Sequence, residues 1–228
     1  MRALTDWVNE RTGLGKVWEA LMKRHIPEAS GPKAWLYTLG SASLFVFAVQ
    51  AVTGALLAMS YAPTPDHAYD SIRFIQERTV AGPIVRGLHH WGATFMVVLV
   101  VLHFMRVYFS GAYKYPREAT WVTGVVLLLI VLGFSFTGYL LPWDQKAYWA
   151  TAVGANIAGQ TPFVGKYVSK VLLGGPEMGA ATLTRFYAFH VLFLPGLILG
   201  GIALHLFLVV WHGITAPPGR RGKDGLAP

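Results

Sequence analysis

The feature that most constrains this chain is an uncharged, apolar run that holds two histidines fourteen residues apart. The run reads RGLHHWGATFMVVLVVLHFMR, from Arg86 to Arg106, and contains His89 and His103. The nineteen residues between the two arginines are enough to cross a bilayer as one helix. Fourteen helical residues rise about 21 Å and stop about 40° short of four turns, so both imidazoles leave one face at two depths. Because ionisable groups inside a membrane are costly, this pattern favours a functional role.

A second apolar run, nearer the C-terminus, repeats the arrangement. It reads RFYAFHVLFLPGLILGGIALHLFLVVWHG and holds His190 and His205, fifteen residues apart. Fifteen helical residues pass four turns by about 60° and rise about 22 Å, so this pair also shares a broad face. Paired imidazoles from two facing helices, without a nearby carboxylate or thiolate, suit the two axial positions of haem iron. The two runs therefore predict two b-type haems stacked across a membrane.

The composition agrees with a membrane protein. The chain has 228 residues, of which 54% are hydrophobic and 13% charged, whereas a soluble domain carries about 25% charged residues. It has no cysteine, which excludes disulfides, cysteine-ligated iron–sulfur clusters and thioether-linked haem within this chain. The net charge of +8 comes without a basic stripe that has interleaved aromatics, so nucleic acid is not an expected partner.

Charge and hydropathy divide the chain into three parts. Residues 1–33 are predicted to form an amphipathic surface segment, residues 34–212 a four-helix di-haem transmembrane domain, and residues 213–228 a flexible tail. The predicted fold is therefore an all-α membrane protein: a four-transmembrane-helix bundle that binds two haems and has an N-terminal amphipathic helix.

Four apolar segments are predicted to span the bilayer, and Pro195 is expected to kink the last of them. A loop is expected at 62–82, and one or two short surface helices between the third and fourth spans, within 144–184. The spans are expected at about 34–61, 86–106, 119–143 and 185–211.

Four glycines repeat the spacing of the histidines. Gly40 and Gly54 in the first span are fourteen residues apart, and so are Gly124 and Gly138 in the third. Small residues let helices approach closely in lipid, which is one interpretation. The repeated interval favours the other, in which the glycines are notches for two macrocycles.

Two arginines flank the first histidine pair. Arg86 lies three residues before His89, and Arg106 lies three residues after His103, so each is on the face of its histidine and one turn nearer the water. Boundary arginines often extend their head groups towards water. The symmetric placement favours contact with haem propionates instead.

The distribution of positive charge predicts the orientation. Twelve Lys and Arg residues lie in the N-terminal segment, the 106–118 loop and the tail, against seven in the other two loops. The positive-inside rule then places both termini in the cytoplasm or its equivalent. His89 and His190 are accordingly expected to ligate the outer haem iron, and His103 and His205 the inner one.

Four stretches carry a resemblance to a known family: RGLHHWGA, RVYFSGAYKYPREATWVTGVV, TGYLLPWDQKAYWA and TLTRFYAFH. They resemble the N-terminal, four-helix half of cytochrome b from the cytochrome bc complexes, and the resemblance covers nearly the whole chain. The fifteen-residue histidine interval and Asp144, which follows Pro142-Trp143, are similar to the split form of plastids and many bacteria rather than to the fused mitochondrial form.

The resemblance implies a di-haem subunit of a quinol:cytochrome c oxidoreductase, or of one with a similar acceptor. Electrons from quinol oxidation at the outer side would pass through two b haems to a quinone site at the inner side, coupled to proton translocation. The subunit would be the catalytic core of a multisubunit translocase and inactive alone. Quinol and quinone are the implied substrates.

The resemblance also implies partners and a location. The partners are a separate subunit with the C-terminal half of cytochrome b, similar to subunit IV, a Rieske iron–sulfur protein, and a c-type cytochrome or equivalent acceptor, in a dimeric complex. The location is a bacterial inner (plasma) membrane in preference to a thylakoid-type membrane.

Residue roles carry over from the family by position. The haem-facing glycines of the family fall on the four glycines named above. The outer quinol pocket of the family falls on the end of the third span and the following surface helix, here Phe136, Tyr139, Ala150 and Val153.

The chain departs from the family pattern at several positions. Ala150 stands where family members often have glycine. The cysteine that binds an extra haem in the plastid-type chain is replaced by Thr38, so no covalent haem is expected. A basic residue expected after the last ligand is replaced by Val210 and Trp211, and His212 is either its polar substitute or a solvated interfacial histidine.

Two other functional classes stay open from the sequence. A di-haem membrane anchor of a hydrogenase or formate dehydrogenase would arrange its histidines on different helices and lack the PWDQ end. A haem-free transporter or structural membrane protein would use the histidines as a proton relay.

Overall fold

The regular secondary structure of the described residues is all helical. The computed structural model describes Arg11 and residues 35–215. A five-residue π-helical turn, Phe189–Phe193, joins the last two helices. The helices are α1 (Leu39–Ala58), α2 (Ala68–Arg78), α3 (Gly82–Phe109), α4 (Glu118–Leu140), α5 (Gln145–Gly159), α6 (Gly165–Leu173), α7 (Ala180–Ala188) and α8 (Leu194–His212).

Four helical segments are long and apolar enough to cross a membrane. They are α1, α3, α4 and the continuous 33-residue segment Ala180–His212, which comprises α7, the π-helical turn and α8. The prediction of an all-α protein with four spans is confirmed. The last helix begins at Ala180, earlier than the expected Arg185, because its first turns bury Leu183 and Phe186.

The four spans pack as two pairs. α1 lies along α3, and α4 lies along α8, while α3 also contacts α4. Helices in lipid associate through close van der Waals packing, because the surrounding lipid is as apolar as the side chains themselves. Each helix with a histidine pair, α3 or the last span, therefore lies beside a helix that carries a glycine pair.

A compact core closes the end of the bundle that holds His89 and His190. This end is called the outer end here, following the predicted orientation, and the opposite end the inner end. Tyr61 packs against the core, and its hydroxyl donates a hydrogen bond of 2.6 Å to the carbonyl of Leu141. Burial raises the pKa of the Tyr61 hydroxyl, so it stays protonated and able to donate well above neutral pH. The fully buried members of this core are Ala68, Leu140, Leu183 and Phe186.

The expected loop at 62–82 contains a helix, α2, so this part of the prediction was wrong. Ala68 and Ile75 are buried and recur at helical spacing on one face. Asp70 in the first turn and Arg78 in the last turn match the helix dipole. The helix is short and polar overall, so its apolar face was less visible than the prolines that precede it.

The predicted surface helices between the third and fourth spans are present as α5 and α6. Asp144 caps the first of them, because its carboxylate accepts a hydrogen bond of 2.8 Å from the backbone N–H of Ala147. The predicted amphipathic segment 1–33, apart from Arg11, and the tail beyond Thr215 lie outside the described residues.

Candidate di-haem site

The four histidines form two facing pairs at two depths of the bundle. The rings of His89 and His190 are 6.2 Å apart between centroids, with an angle of 77° between their planes. His103 and His205 are close enough to interact electrostatically. The structure therefore brings together the two pairs that the topology predicted.

The separation of the outer pair fits a metal held between two imidazoles. Bonds from a metal to imidazole nitrogen are about 2 Å, and two ring radii of about 1 Å add to two such bonds to give about 6 Å between centroids. Across the described residues, no group of three or more His, Cys, Asp or Glu side chains could hold a metal ion. The site thus suits a metal whose other ligands come from a cofactor, as in haem.

Each histidine ring lies against one glycine of the neighbouring helix. A Cβ added at Gly138 would lie 2.6 Å from Cε1 of His190, and one added at Gly54 would lie 3.0 Å from Cε1 of His89. The glycines thus provide clearance for the histidine rings themselves, a role that their spacing alone did not predict. The pairs are Gly54 with His89, Gly138 with His190, Gly40 with His103, and Gly124 with His205.

Three threonines that were not among the predicted site residues contact the histidines. In each case Oγ1 of the threonine lies within hydrogen-bonding distance of Nδ1 of the histidine. A signal was present in the sequence, because each threonine immediately precedes one of the four glycines. The distances are 3.0 Å for Thr53 and His89, 3.1 Å for Thr137 and His190, and 3.0 Å for Thr123 and His205.

A π-helical turn brings the second histidine pair onto one face. His190 lies in this turn, Phe189–Phe193, and Pro195 follows it. Proline has no N–H, so it leaves a carbonyl one turn earlier without its α-helical partner. A π-helical turn accommodates one extra residue, which offsets the excess rotation of about 60° in the interval from His190 to His205. The expected disturbance at Pro195 therefore takes the form of a change in helix type beside a candidate ligand.

The two arginines differ in their surroundings. The guanidinium of Arg106 lies 4.0 Å from the ring centroid of Tyr37, and its Nη2 is buried with no hydrogen-bond partner among the described residues. Nη1 of Arg86 donates a hydrogen bond of 3.2 Å to Oε1 of Gln76 on α2. An anionic group such as a propionate would satisfy the free donor of Arg106, whereas Arg86 is already partly engaged.

The four residues assigned to an outer quinol pocket lie on α4 and α5. The ring of Phe136 is 5.4 Å from that of Phe186, and a Cβ at Gly154 would lie 2.8 Å from its Cε2 atom. Phe136 therefore joins the end of α4 to α5. The other three residues are exposed: Tyr139, Ala150 and Val153.

At two positions where the chain departs from the family pattern, the structure shows the local environment of the side chain. Thr38 donates a hydrogen bond of 2.8 Å to the carbonyl of Trp35, just before α1. Nδ1 of His212 is buried and has no partner among residues 35–215. This burial favours a polar group that lines the inner end over a solvated histidine.

Comparisons with known proteins agree with this geometry. Residues 28–213 match the family Cytochrome b/b6/petB. The chain is 42% identical over 222 residues to the menaquinol:cytochrome c reductase cytochrome b subunit of Bacillus subtilis (strain 168), covering 95% of this chain and 99% of that protein. It is also 42% identical over 213 residues to cytochrome b6 of Heliobacterium mobile, covering 93% and 99%.

A solved structure has the same fold. The chain superimposes on a chain of a hyperthermophilic respiratory Complex III with a TM-score of 0.84 and 30% sequence identity. The match covers 98% of this chain and 59% of the longer chain. The family match and these similarities confirm the resemblance found in the sequence, and this chain belongs to the cytochrome b/b6 family.

Proposed function

We propose that this protein is the di-haem cytochrome b subunit of a quinol:cytochrome c oxidoreductase, or of a complex with a similar acceptor. The observation that carries the proposal is the presence of two facing histidine pairs at two depths within four apolar spans. The name of the Bacillus subtilis relative supports menaquinol as the substrate class. Quinol oxidation would occur at the outer end and quinone reduction at the inner end, coupled to proton translocation.

The histidines are proposed to hold two non-covalent b-type haems. His89 and His190 would ligate the outer iron, and His103 and His205 the inner iron. Haem supplies one-electron transfer when it is bound. Because two histidines would hold each iron, little binding of a ligand such as carbon monoxide is expected.

Residues around the histidines would orient the rings and balance charge. The glycines on α1 and α4 leave room for the rings, and the apolar spans would exclude water from them. Arg106, whose Nη2 is buried without a partner in the described chain, is proposed to bind a propionate of the inner haem. Arg86 is proposed to do the same at the outer end while it remains in contact with Gln76.

The quinol pocket is proposed to lie where α4 meets α5. Phe136 contacts α5 at Gly154 and thus links the two helices. Exposed residues on these helices would complete the apolar wall of the pocket, which suits a ring with a long isoprenoid tail. They are Tyr139, Ala150 and Val153.

The assembly is proposed to be a dimeric complex of the Complex III type. The solved relative belongs to a respiratory Complex III, and the match covers 59% of its length. The relatives from Bacillus subtilis and Heliobacterium mobile are matched over 99% of their own length, which supports a subunit of the split type. The proposed partners are a subunit with the second half of cytochrome b, a Rieske protein and a c-type cytochrome. We place the complex in the bacterial plasma membrane, with residues 34–212 as its transmembrane domain and both termini cytoplasmic.

Purification of the intact complex through a tag on this chain tests the proposal. We expect two b-type components in the reduced-minus-oxidised spectrum, reduction of both by a menaquinol analogue, and electron transfer to cytochrome c. Carbon monoxide should leave the spectrum of the native protein unchanged. A preparation without haem absorption would support a transporter instead. Reduction by formate or hydrogen but not by the quinol analogue would support a membrane anchor.

A further inference from the structure

Three of the four candidate ligands make the same side-chain contact, and the fourth does not. Nδ1 of His89, His190 and His205 each lies 3.0 or 3.1 Å from a threonine Oγ1. These threonines come from the neighbouring helices α1 and α4, so the contact crosses each helix pair. Nδ1 of His103 is buried and has no hydrogen-bond partner among the described residues.

The single hydrogen of each threonine hydroxyl is already used within its own helix. Thr53 donates to the carbonyl of Val49 at 2.6 Å, and Thr137 donates to the carbonyl of Gly133 at 2.8 Å. Thr123 likewise donates to a carbonyl of α4, that of Thr120, at 2.9 Å. With its hydrogen committed, each hydroxyl oxygen can only accept from the imidazole.

The direction of this hydrogen bond favours one tautomer of the histidine. The backbone carbonyls of Gln50, Phe134 and Thr120 also lie within hydrogen-bonding range of the same three rings and favour the same tautomer. A neutral imidazole carries one N–H, and the other ring nitrogen has a free lone pair. If Nδ1–H donates to the threonine, Nε2 holds the lone pair that a metal needs. Acceptors at the second nitrogen of a ligating histidine also orient the ring and raise its basicity.

The exception at His103 has a simple cause in the sequence. A Cβ at Gly40 would lie 3.3 Å from Cε1 and 3.6 Å from Nδ1 of His103, and the matching distances from Gly54 to His89 are 3.0 and 3.6 Å. The two rings therefore approach α1 in the same way. However, the residue before Gly54 is Thr53, whereas the residue before Gly40 is Leu39, which has no acceptor.

We propose that Thr53, Thr137 and Thr123 are positioning residues that add a second acceptor beside a backbone carbonyl and so raise the basicity of three haem ligands, and that Leu39 leaves the fourth ligand without this support. The proposal rests on the proposed function, because it concerns ligands of the two haems. It implies that the outer haem has two supported ligands and the inner haem one. A more basic ligand stabilises ferric over ferrous iron, so removal of an acceptor should raise the reduction potential of that haem.

Redox titration of the purified complex tests the proposal. Thr53→Val and Thr137→Val should each raise the potential of the outer haem, and the double variant should raise it further. Thr123→Val should act on the inner haem alone. The potentials are assigned with His89→Leu and His103→Leu, each of which removes one haem. A tenfold change in the relative affinity of the ligand for the two iron states corresponds to about 59 mV.

Two controls separate positioning from packing. Thr151→Val removes a buried hydroxyl that has no partner among the described residues, and it should leave both potentials unchanged. Thr53→Ser keeps the hydroxyl and should keep the wild-type potential. If a valine variant loses the haem that its serine counterpart retains, the hydroxyl is again the cause. Loss of that haem in both variants would overturn the positioning role, because the hydroxyl would not suffice.

A gain-of-contact variant tests the same idea in the opposite direction. Leu39→Thr places a hydroxyl before Gly40 and should lower the potential of the inner haem. The proposal fails if the double variant with Thr53→Val and Thr137→Val retains both haems at wild-type potentials. It also fails if Leu39→Thr leaves the potential of the inner haem unchanged. A wild-type complex without two b-type components would refute the proposed function instead.

Discussion

The two ends of the bundle satisfy their polar groups in different ways. At the outer end both histidines have a threonine partner, and the Tyr61 hydroxyl bonds to the carbonyl of Leu141. At the inner end several buried polar atoms have no partner among residues 35–215. They are Nδ1 of His103, Nη2 of Arg106, Oγ1 of Thr120, Nδ1 of His212 and Oγ1 of Thr215, and the one other such atom in the described chain is Oγ1 of Thr151 on α5.

This difference indicates where the fold depends on bound groups. Buried polar atoms in native proteins are almost always hydrogen-bonded, because an unmade bond costs about 1–3 kcal/mol. The outer end is closed by the chain itself, through α2, the end of α4 and the start of α7. The inner end presents donors and acceptors that suit propionates, a quinone head group or water. We therefore expect cofactor loss to disturb the inner end more than the outer end.

Substitution of single histidines has the largest expected effect and tests whether the two ends are independent. His103→Leu and His205→Leu should remove the same b-type component, and His89→Leu and His190→Leu the other, because each histidine pair is proposed to hold one haem. Reduced-minus-oxidised spectra with redox titration make the measurement.

The matched control for this series is His90, which is the neighbour of the proposed ligand His89 in the sequence. His90 is exposed and lies edge-on to Trp91, so His90→Leu should retain both components. If His103→Leu and His190→Leu remove the same component, the ligand pairs are assigned wrongly and the comparison between the two ends fails.

A methyl group at the glycines should affect the outer end more strongly. Gly138→Ala places Cβ 2.6 Å from Cε1 of His190, and Gly124→Ala places it 3.3 Å from Cε1 of His205. Overpacking of this kind costs about 1–3 kcal/mol, and we expect Gly138→Ala to lie near the top of that range. Haem content and thermal unfolding of the purified complex measure both variants. Equal losses would show that the outer ring adapts more easily than its contacts suggest.

The sequence was sufficient for the fold because membrane helices have a strong local signal. Length, apolarity and the absence of charge identified four spans, and the intervals between histidines predicted which of them face each other. The polar helix α2 was missed because its apolar face holds few residues, of which Ala68 and Ile75 are buried. The surroundings of Pro195 suggested a kink but not a π-helical turn.

The side-chain contacts of the site could not be predicted to the same degree. The bonds from Thr53 to His89 and from Thr123 to His205 join residues 36 and 82 positions apart. Such contacts depend on how far each helix is rotated about its axis, which no local pattern specifies. The repeated Thr-Gly dipeptide was nevertheless a usable signal. The glycine identifies where a histidine ring approaches the helix, and the threonine next to it lies within hydrogen-bonding distance of that ring.

Removal of one positive charge at each end should change the haem potentials by different amounts, an effect smaller than that of the histidine and glycine substitutions. Arg106→Gln should lower the potential of the inner haem, because a nearby cation stabilises the extra electron of the reduced state. A charge pair at about 4 Å in a water-like environment is worth about 1 kcal/mol. Arg86→Gln should have less effect on the outer haem, since Gln76 already shares that guanidinium. Redox titration of both variants measures the two shifts. A larger shift for Arg86→Gln than for Arg106→Gln would contradict the expected difference between the two ends.

The smallest expected effect concerns the hydrogen bond that closes the outer end. Tyr61→Phe removes the bond of 2.6 Å to the carbonyl of Leu141 but keeps the stack on Tyr187, whose ring centroid is 5.5 Å away. The loss should be about 0.5 kcal/mol, near the lower limit for a hydrogen bond, because Tyr61 is only partly buried. Thermal unfolding at pH 8 measures it.

The pH dependence of this variant gives a sharper test than its stability at one pH. Burial raises the pKa of Tyr61 in the folded protein, while the unfolded chain ionises near a pKa of about 10. Above that pH the unfolded state binds fewer protons than the folded state, so the contribution of Tyr61 to stability is complete below about pH 10 and declines as the pH rises. Wild-type protein should therefore lose more stability than Tyr61→Phe between pH 8 and about pH 10.5. Parallel losses would mean that the Tyr61 hydroxyl ionises as easily in the fold as in the unfolded chain, and that the outer end is more open to water than its core indicates.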